Sequence, residues 1–83
     1  MQHSLPMAML KSGQTAIIHT VHGKGAMYER LCDLGFTPGS SVTCLYSSVF
    51  GDPKAYRIKQ TVIALRKNDA SMIECILPDG GSL

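Results

Sequence analysis

The sequence predicts a mainly β fold: a small, closed or half-closed barrel of about five short strands with one short α-helix inserted. Three observations lead there. The chain has 83 residues, room for one hydrophobic core and no more. Stretches rich in β-branched residues recur along it, each bounded by glycine, proline or a polar break. One segment alone carries convincing helical periodicity, Ala26 to Leu34. Strands so short and numerous leave edges that must be covered, and a barrel covers them. The hydrophobic share of 45% is ordinary for a folded domain. Residues 1–83 are therefore expected to form a single domain, with the barrel at about 10–77 and a mobile tail at 78–83.

Thr15 to His22 reads as the first strand, bounded by Gly13 and by Gly23 and Gly25. Strict alternation would turn Ala16, Ile18 and Thr20 inward and Val21 outward, and a bulge near the strand end would return Val21 to the core. In the helix, Met27, Leu31 and Leu34 recur at i, i+4 and i+7 and share one face, with Glu29, Arg30 and Asp33 largely off it. Gly35 is suited to close the helix in the left-handed conformation. Phe36 stands where a Schellman closure places its hydrophobic contact. Thr37-Pro38-Gly39-Ser40 carries a type II turn signal, proline fixing φ at the second position and glycine accepting positive φ at the third.

Ser41 to Ser48 is the next strand, with Val42, Cys44 and Tyr46 on one side and Thr43 and Leu45 on the other. Gly51-Asp52-Pro53 marks a loop tip. Tyr56–Lys59 and Val62–Arg66 form a hairpin joined around Gln60 and Thr61, although neither residue favours positive φ. Asn68 to Ser71 is a polar break or single helical turn. Met72–Leu77 is the last strand, with Ile73, Cys75 and Leu77 inward.

Several function classes are disfavoured. Lys and Arg total 8 against 6 Asp and Glu, a net charge of +2, and the cations are scattered from Lys11 to Lys67. A nucleic-acid module usually clusters them on one face. Three Tyr, two Phe and no Trp supply neither a base-stacking platform nor a groove for proline-rich peptides. No apolar run exceeds four residues, far short of the ~20 that span a bilayer. The first residues lack the basic start of a secretory signal. Three cysteines, an odd set without CxxC spacing, suit a reducing cytosol.

Catalytic and metal motifs are weak. His19 and His22 are three apart, which on a strand points them to opposite sides unless the bulge intervenes, and no third ligand follows at a recognisable spacing. Cys44 and Cys75 fall on inward positions and Cys32 on the helix, all better read as packing than as thiolate ligands. His22-Gly23-Lys24-Gly25 lacks the full phosphate-loop pattern and reads as a hinge. No catalytic residue, cofactor-binding residue or metal site is assigned, no cofactor is expected, and the chain reads as non-enzymatic.

The run Arg30-Leu31-Cys32-Asp33-Leu34-Gly35-Phe36-Thr37-Pro38-Gly39 resembles the R-L-x-x-L-G-[LF]-x-P-G signature of the ferrous iron transport protein A (FeoA) family. The likeness continues through Gly51-Asp52-Pro53, Ala64-Leu65-Arg66-Lys67, and Asp69-Ala70 followed by Ile73. With Gly13 and Ala16 it runs from about Leu10 to Leu77. Gln60 departs from it, since the family usually has glycine at that hairpin turn. The resemblance implies an SH3-like barrel and a structural role for Gly35, Pro38, Gly39, Gly51, Asp52 and Pro53. It also implies a cytoplasmic accessory or regulatory protein of bacterial ferrous iron uptake, peripheral to the inner membrane through its partner. That partner is the GTP-binding ferrous iron transporter, met through its cytosolic GTPase domain or its membrane domain, with no nucleic acid and no membrane insertion. The same barrel ends iron-dependent repressors, but here the chain begins almost at the barrel, so a free-standing module is expected.

Two readings of different classes follow. The first is an interaction module whose docking patch comprises Phe50, Val49, Leu45, Tyr28 and Arg30; the alternative for the apolar members is that the barrel tucks them under a loop. Arg30 is also the choice among Arg30, Arg57 and Arg66 for a GTPase-stimulating finger, although a structural role suits all three better. The second is a small metal-binding protein that itself holds ferrous iron or another divalent metal through His19, His22 or the cysteines.

Overall fold

Short segments, several of them rich in β-branched residues, form six strands in the computed structural model, which describes residues 3–47 and 51–78. They are β1 (His3–Pro6), β2 (Thr15–Val21), β3 (Ser41–Ser47), β4 (Lys54–Ile58), β5 (Thr61–Leu65) and β6 (Ile73–Leu77). Helix α1 (Ala26–Leu34) joins β2 to β3, and a single turn, α2 (Lys67–Ala70), joins β5 to β6. All pairings are antiparallel, in the order β1-β6-β2-β3-β4-β5. The inward positions (Ala16, Ile18, Val42, Cys44, Tyr56, Ile58, Ile73 and Cys75) form one core with Leu31, Phe36, Met7 and Leu10.

The sheet curls. Lys54 of β4 donates from Nζ to the carbonyls of Ala8 and Leu10, 2.8 Å each, in the segment that follows β1. The Tyr56 hydroxyl reaches toward the Met7 carbonyl at 3.5 Å. These contacts bring the two halves of the strand order round a shared core.

The helix and its closure are as expected. Leu31 is fully buried, and Met27 and Leu34 pack against the core. Gly35 takes φ 110°; its N–H bonds to Cys32 O, and Phe36 N–H to Leu31 O at 3.0 Å, the paired bonds of a Schellman closure. Phe36 is buried. The following turn has Ser40 N–H bonded to Thr37 O and Gly39 at φ 91°, the type II pattern. It docks on β2 through Gly39 N–H to Ile18 O and Ile18 N–H to Ser40 O, 2.8 Å each. The bulge also occurs: the β2–β6 register shifts between Ile18 and Thr20, and Val21 returns to the core opposite Ile73.

Details of the elements differ from the expectation. The sheet has six strands where about five were expected and starts at His3, because β1 pairs with β6 in the register His3↔Leu77 to Pro6↔Glu74. The β4–β5 loop is Lys59–Gln60, not Gln60–Thr61, since Thr61 pairs with Ile58. The positive φ falls on Lys59, at 56°. Leu45 is the extra residue of a register shift between Cys44 and Tyr46, which turns Tyr46 away from Val42 and Cys44 and leaves it 61% exposed. Val49, Phe50 and residues 79–83 lie outside the described residues.

Candidate functional site

Of the expected patch, Leu45, Tyr28 and Arg30 lie among the described residues. Leu45, half-buried, lies four residues into β3, roughly 13 Å along the strand from the end that α1 feeds. Tyr28, half-buried, and Arg30, exposed, are on α1. Arg30 makes no hydrogen bond or ion pair with any described residue. One turn on from Tyr28, the Cys32 thiol raises the phenol's pKa, first by hydrogen bonding and then by charge.

A groove does form beside the Gly51-Asp52-Pro53 tip, immediately after Phe50. Its lining includes Ala8, Met9 and Leu65, with Lys54, Asp52 and Lys67 supplying charge, and its volume is about 230 Å³. Met9 is 61% exposed. The groove is held by the Lys54 bonds already described and by Asp52 Oδ1, which accepts the Lys67 N–H at 2.9 Å and so anchors the tip to α2. An exposed methionine on a floor of alanine and leucine, rimmed by cations and a carboxylate, suits a protruding side chain of a partner. Met9 and Leu65 were not among the expected site residues: Met9 has no periodic context before it, and Leu65 reads as strand interior.

The titratable groups complete the picture. Cys44 and Cys75 are buried; burial raises both thiol pKa values, partly offset at Cys44 by Lys54, and Cys75 is pushed up to about 12. Both are protonated packing groups at neutral pH, not ready thiolates. Burial, then the thiols of Cys44 and Cys75 and the Asp52 carboxylate, keep the Tyr56 phenol protonated well above its ordinary range. At the other end of the sheet the Ser4 hydroxyl donates to Glu74, and His22 Nε2 lies 3.0 Å from Glu74 Oε1. The Ser4 bond, then His22, lower the Glu74 pKa. In this cluster the carboxylate stands between the hydroxyl and the imidazole, so the imidazole is not placed to take the serine proton, as nucleophile activation requires. His19 is exposed and turned to Thr20, 2.7 Å from its hydroxyl. Among the described residues no three His, Cys, Asp or Glu side chains converge as a metal site, and no helix is long and apolar enough to cross a membrane.

A curled antiparallel sheet around one core, with an inserted helix and a side groove, places the chain in the class of small SH3-like β domains. The FeoA domain profile matches residues 5–77, and the chain belongs to the FeoA family. A curated relative from Porphyromonas gingivalis, an Fe(2+) transport protein A/Fe(2+) transporter FeoB fusion protein, is 34% identical over 68 residues. That match covers 82% of this chain and 8% of the fusion protein. Iron(II) transport protein A from Clostridium thermocellum has a similar structure, with TM-score 0.86 and 30% identity over 92% of this chain and 47% of that one. FeoA from Stenotrophomonas maltophilia, an SH3 domain protein solved in complex with zinc, gives TM-score 0.75 and 26% identity over 83% of this chain and 86% of that one. A manganese-dependent transcriptional repressor matches at TM-score 0.82 and 14% identity over 94% of this chain and 44% of the repressor, which shows a shared fold.

Proposed function

We propose that this protein is a cytoplasmic, non-enzymatic accessory of bacterial ferrous iron uptake that docks on the GTP-binding transporter of the inner membrane and regulates it. The observation that carries this reading is the Porphyromonas gingivalis relative, in which a matching segment and the transporter form one chain. Fusion holds two modules at high effective concentration, and it favours pairs that also meet as separate chains. The groove beside the 51–53 tip supports the same reading, because it offers apolar surface with a charged rim. The residues proposed for docking are Phe50, Val49, Leu45, Tyr28 and Arg30, together with the apolar lining of that groove.

The test is a pull-down with the full chain against the transporter's soluble GTPase domain and against the detergent-solubilised whole transporter. Retention by either is expected. Binding to neither, with the domain shown to be folded, overturns direct docking.

A second reading, metal binding, is favoured by the zinc complex of the Stenotrophomonas relative and by the close His22–Glu74 pair. Two protein ligands leave most of a coordination shell to water or a second chain. Anaerobic calorimetry with ferrous iron tests it: stoichiometric micromolar binding lost in His22→Ala supports it, and silence removes it.

A further inference from the structure

The solvent face of the β3–β4 pair carries a feature that the docking reading does not use. A groove of about 230 Å³ is lined by Ser40, Ser41, Thr43, Arg57 and Lys59: three hydroxyls, a guanidinium and an ammonium, with no acidic side chain. Cross-strand register makes it. Thr43 stands directly opposite Arg57, while Val42 and Ile58, their neighbours in the ladder, turn into the core. Ser41 and Lys59 flank that inward pair on the outer side, and the Thr37–Ser40 turn closes the end. Arg57 and Lys59 are exposed, and neither makes a hydrogen bond or ion pair with a described residue.

The hydroxyls are already oriented. Thr43 Oγ1 is 2.8 Å from Thr15 Oγ1, and Ser40 Oγ is 3.0 Å from Thr37 Oγ1. Thr37 Oγ1 donates to the Gly35 carbonyl, so Ser40 donates and Thr37 accepts in their pair, whereas Thr43 keeps its proton for a ligand when Thr15 donates. Lys59 is held in place at some cost. It takes the left-handed φ of 56° that glycine adopts more readily, and its chain lies where a side chain on Gly35 would fall, Cγ 3.1 Å from that Cβ position. A lysine kept in a strained backbone conformation beside an unpaired arginine points to use of its charge.

We propose that this groove is a binding site for a phosphoryl group, carried either by free orthophosphate or by a nucleoside triphosphate. The donors favour phosphoryl over carboxylate. A guanidinium fork, an ammonium and the Ser41 and Thr43 hydroxyls exceed what two oxygens in a plane can accept, whereas a tetrahedral group presents three or more oxygens to them.

The test is amide NMR of the full chain titrated with orthophosphate, GTP and ATP at constant ionic strength. Saturable shifts centred on Ser41, Thr43, Arg57 and Lys59 are expected. Equal affinities for all three probes assign the site to the phosphoryl group alone, and tighter binding of a triphosphate assigns it to a nucleotide. Arg57→Gln should weaken binding about tenfold or more, as loss of a charge-assisted bond does, and Lys59→Gln should weaken it independently. Arg66→Gln, which removes the same charge after β5, should leave affinity unchanged. The dispersed spectrum of each variant verifies its fold. Shifts that never saturate, an Arg66→Gln effect equal to that of Arg57→Gln, or stronger movement of these amides by an acidic peptide than by phosphate would overturn the proposal.

Discussion

Gly35→Ala is the most informative single perturbation of the fold. Gly35 closes α1 at φ 110°, a conformation that costs a residue with a side chain about 1–2 kcal/mol. The new methyl would meet Lys59 Cγ at 3.1 Å and Ile58 Cγ1 at 3.5 Å. The lysine chain can move aside, so this contact adds only a few tenths of a kcal/mol, and the total comes to about 2 kcal/mol. For a domain of this size that lowers the melting temperature by about 8–16 °C. In urea, with a slope of about 2 kcal/mol per M, the midpoint should fall by about 1 M. Urea titration followed by far-ultraviolet circular dichroism and by tyrosine fluorescence would read it, the chain having no Trp. An unchanged slope with a loss below about 0.5 kcal/mol would refute the reasoning, because it would mean that the closure holds little of the fold's stability.

Other perturbations separate packing, docking and charge. Leu31→Ala removes the one fully buried side chain of α1 and should lower stability by about 2–4 kcal/mol in the same titration, with Phe50→Ala leaving stability nearly unchanged while weakening transporter capture or ferrous iron uptake. If Phe50→Ala melts the domain as badly, or leaves uptake intact, the docking surface is misplaced there. Lys59→Gly relieves a left-handed backbone and should raise stability by roughly 0.5–1 kcal/mol; a loss would show that the packing of this lysine over Gly35 outweighs the strain. Glu74 is held below its ordinary value of 4.5 by Ser4 and His22, so its stabilisation is complete above that value and is lost as the pH falls through the lowered folded value. Thermal midpoints between pH 2 and 6 should therefore fall less steeply in Glu74→Gln, and identical profiles would count against the Ser4–Glu74–His22 link.

What could be read from the sequence was local. Met27, Leu31, Leu34, Gly35 and Phe36 announce a helix and its closure within ten residues, because the i, i+4, i+7 face and the Schellman bonds all lie inside that window. Val21 was recoverable for a similar reason, since an apolar residue out of phase at a strand end calls for a bulge. Non-local pairing was hidden. His3–Pro6 has neither alternation nor β-branched residues and becomes a strand only against Glu74–Leu77, some seventy positions away. The shift at Leu45 leaves no mark that separates it from regular alternation, so Tyr46 was assigned to the wrong face. The groove on β3 and β4 was equally invisible, because Thr43 and Arg57 become neighbours only through register. Lys59 has no glycine signal to betray its φ.

The pairing of His3 with Leu77 sets where the polypeptide enters and leaves the domain. Strand partners are about 4.8 Å apart, so entry and exit lie side by side at one corner of the sheet. A domain wired in this way behaves as a detachable cassette. It can be spliced to the front of another polypeptide, or looped into the middle of one, without stretching either junction across the fold. The same geometry makes circular permutation feasible: a short glycine-serine bridge could join the two ends, and new termini could be opened at the Lys59–Gln60 turn while the ladder between β1 and β6 stays intact.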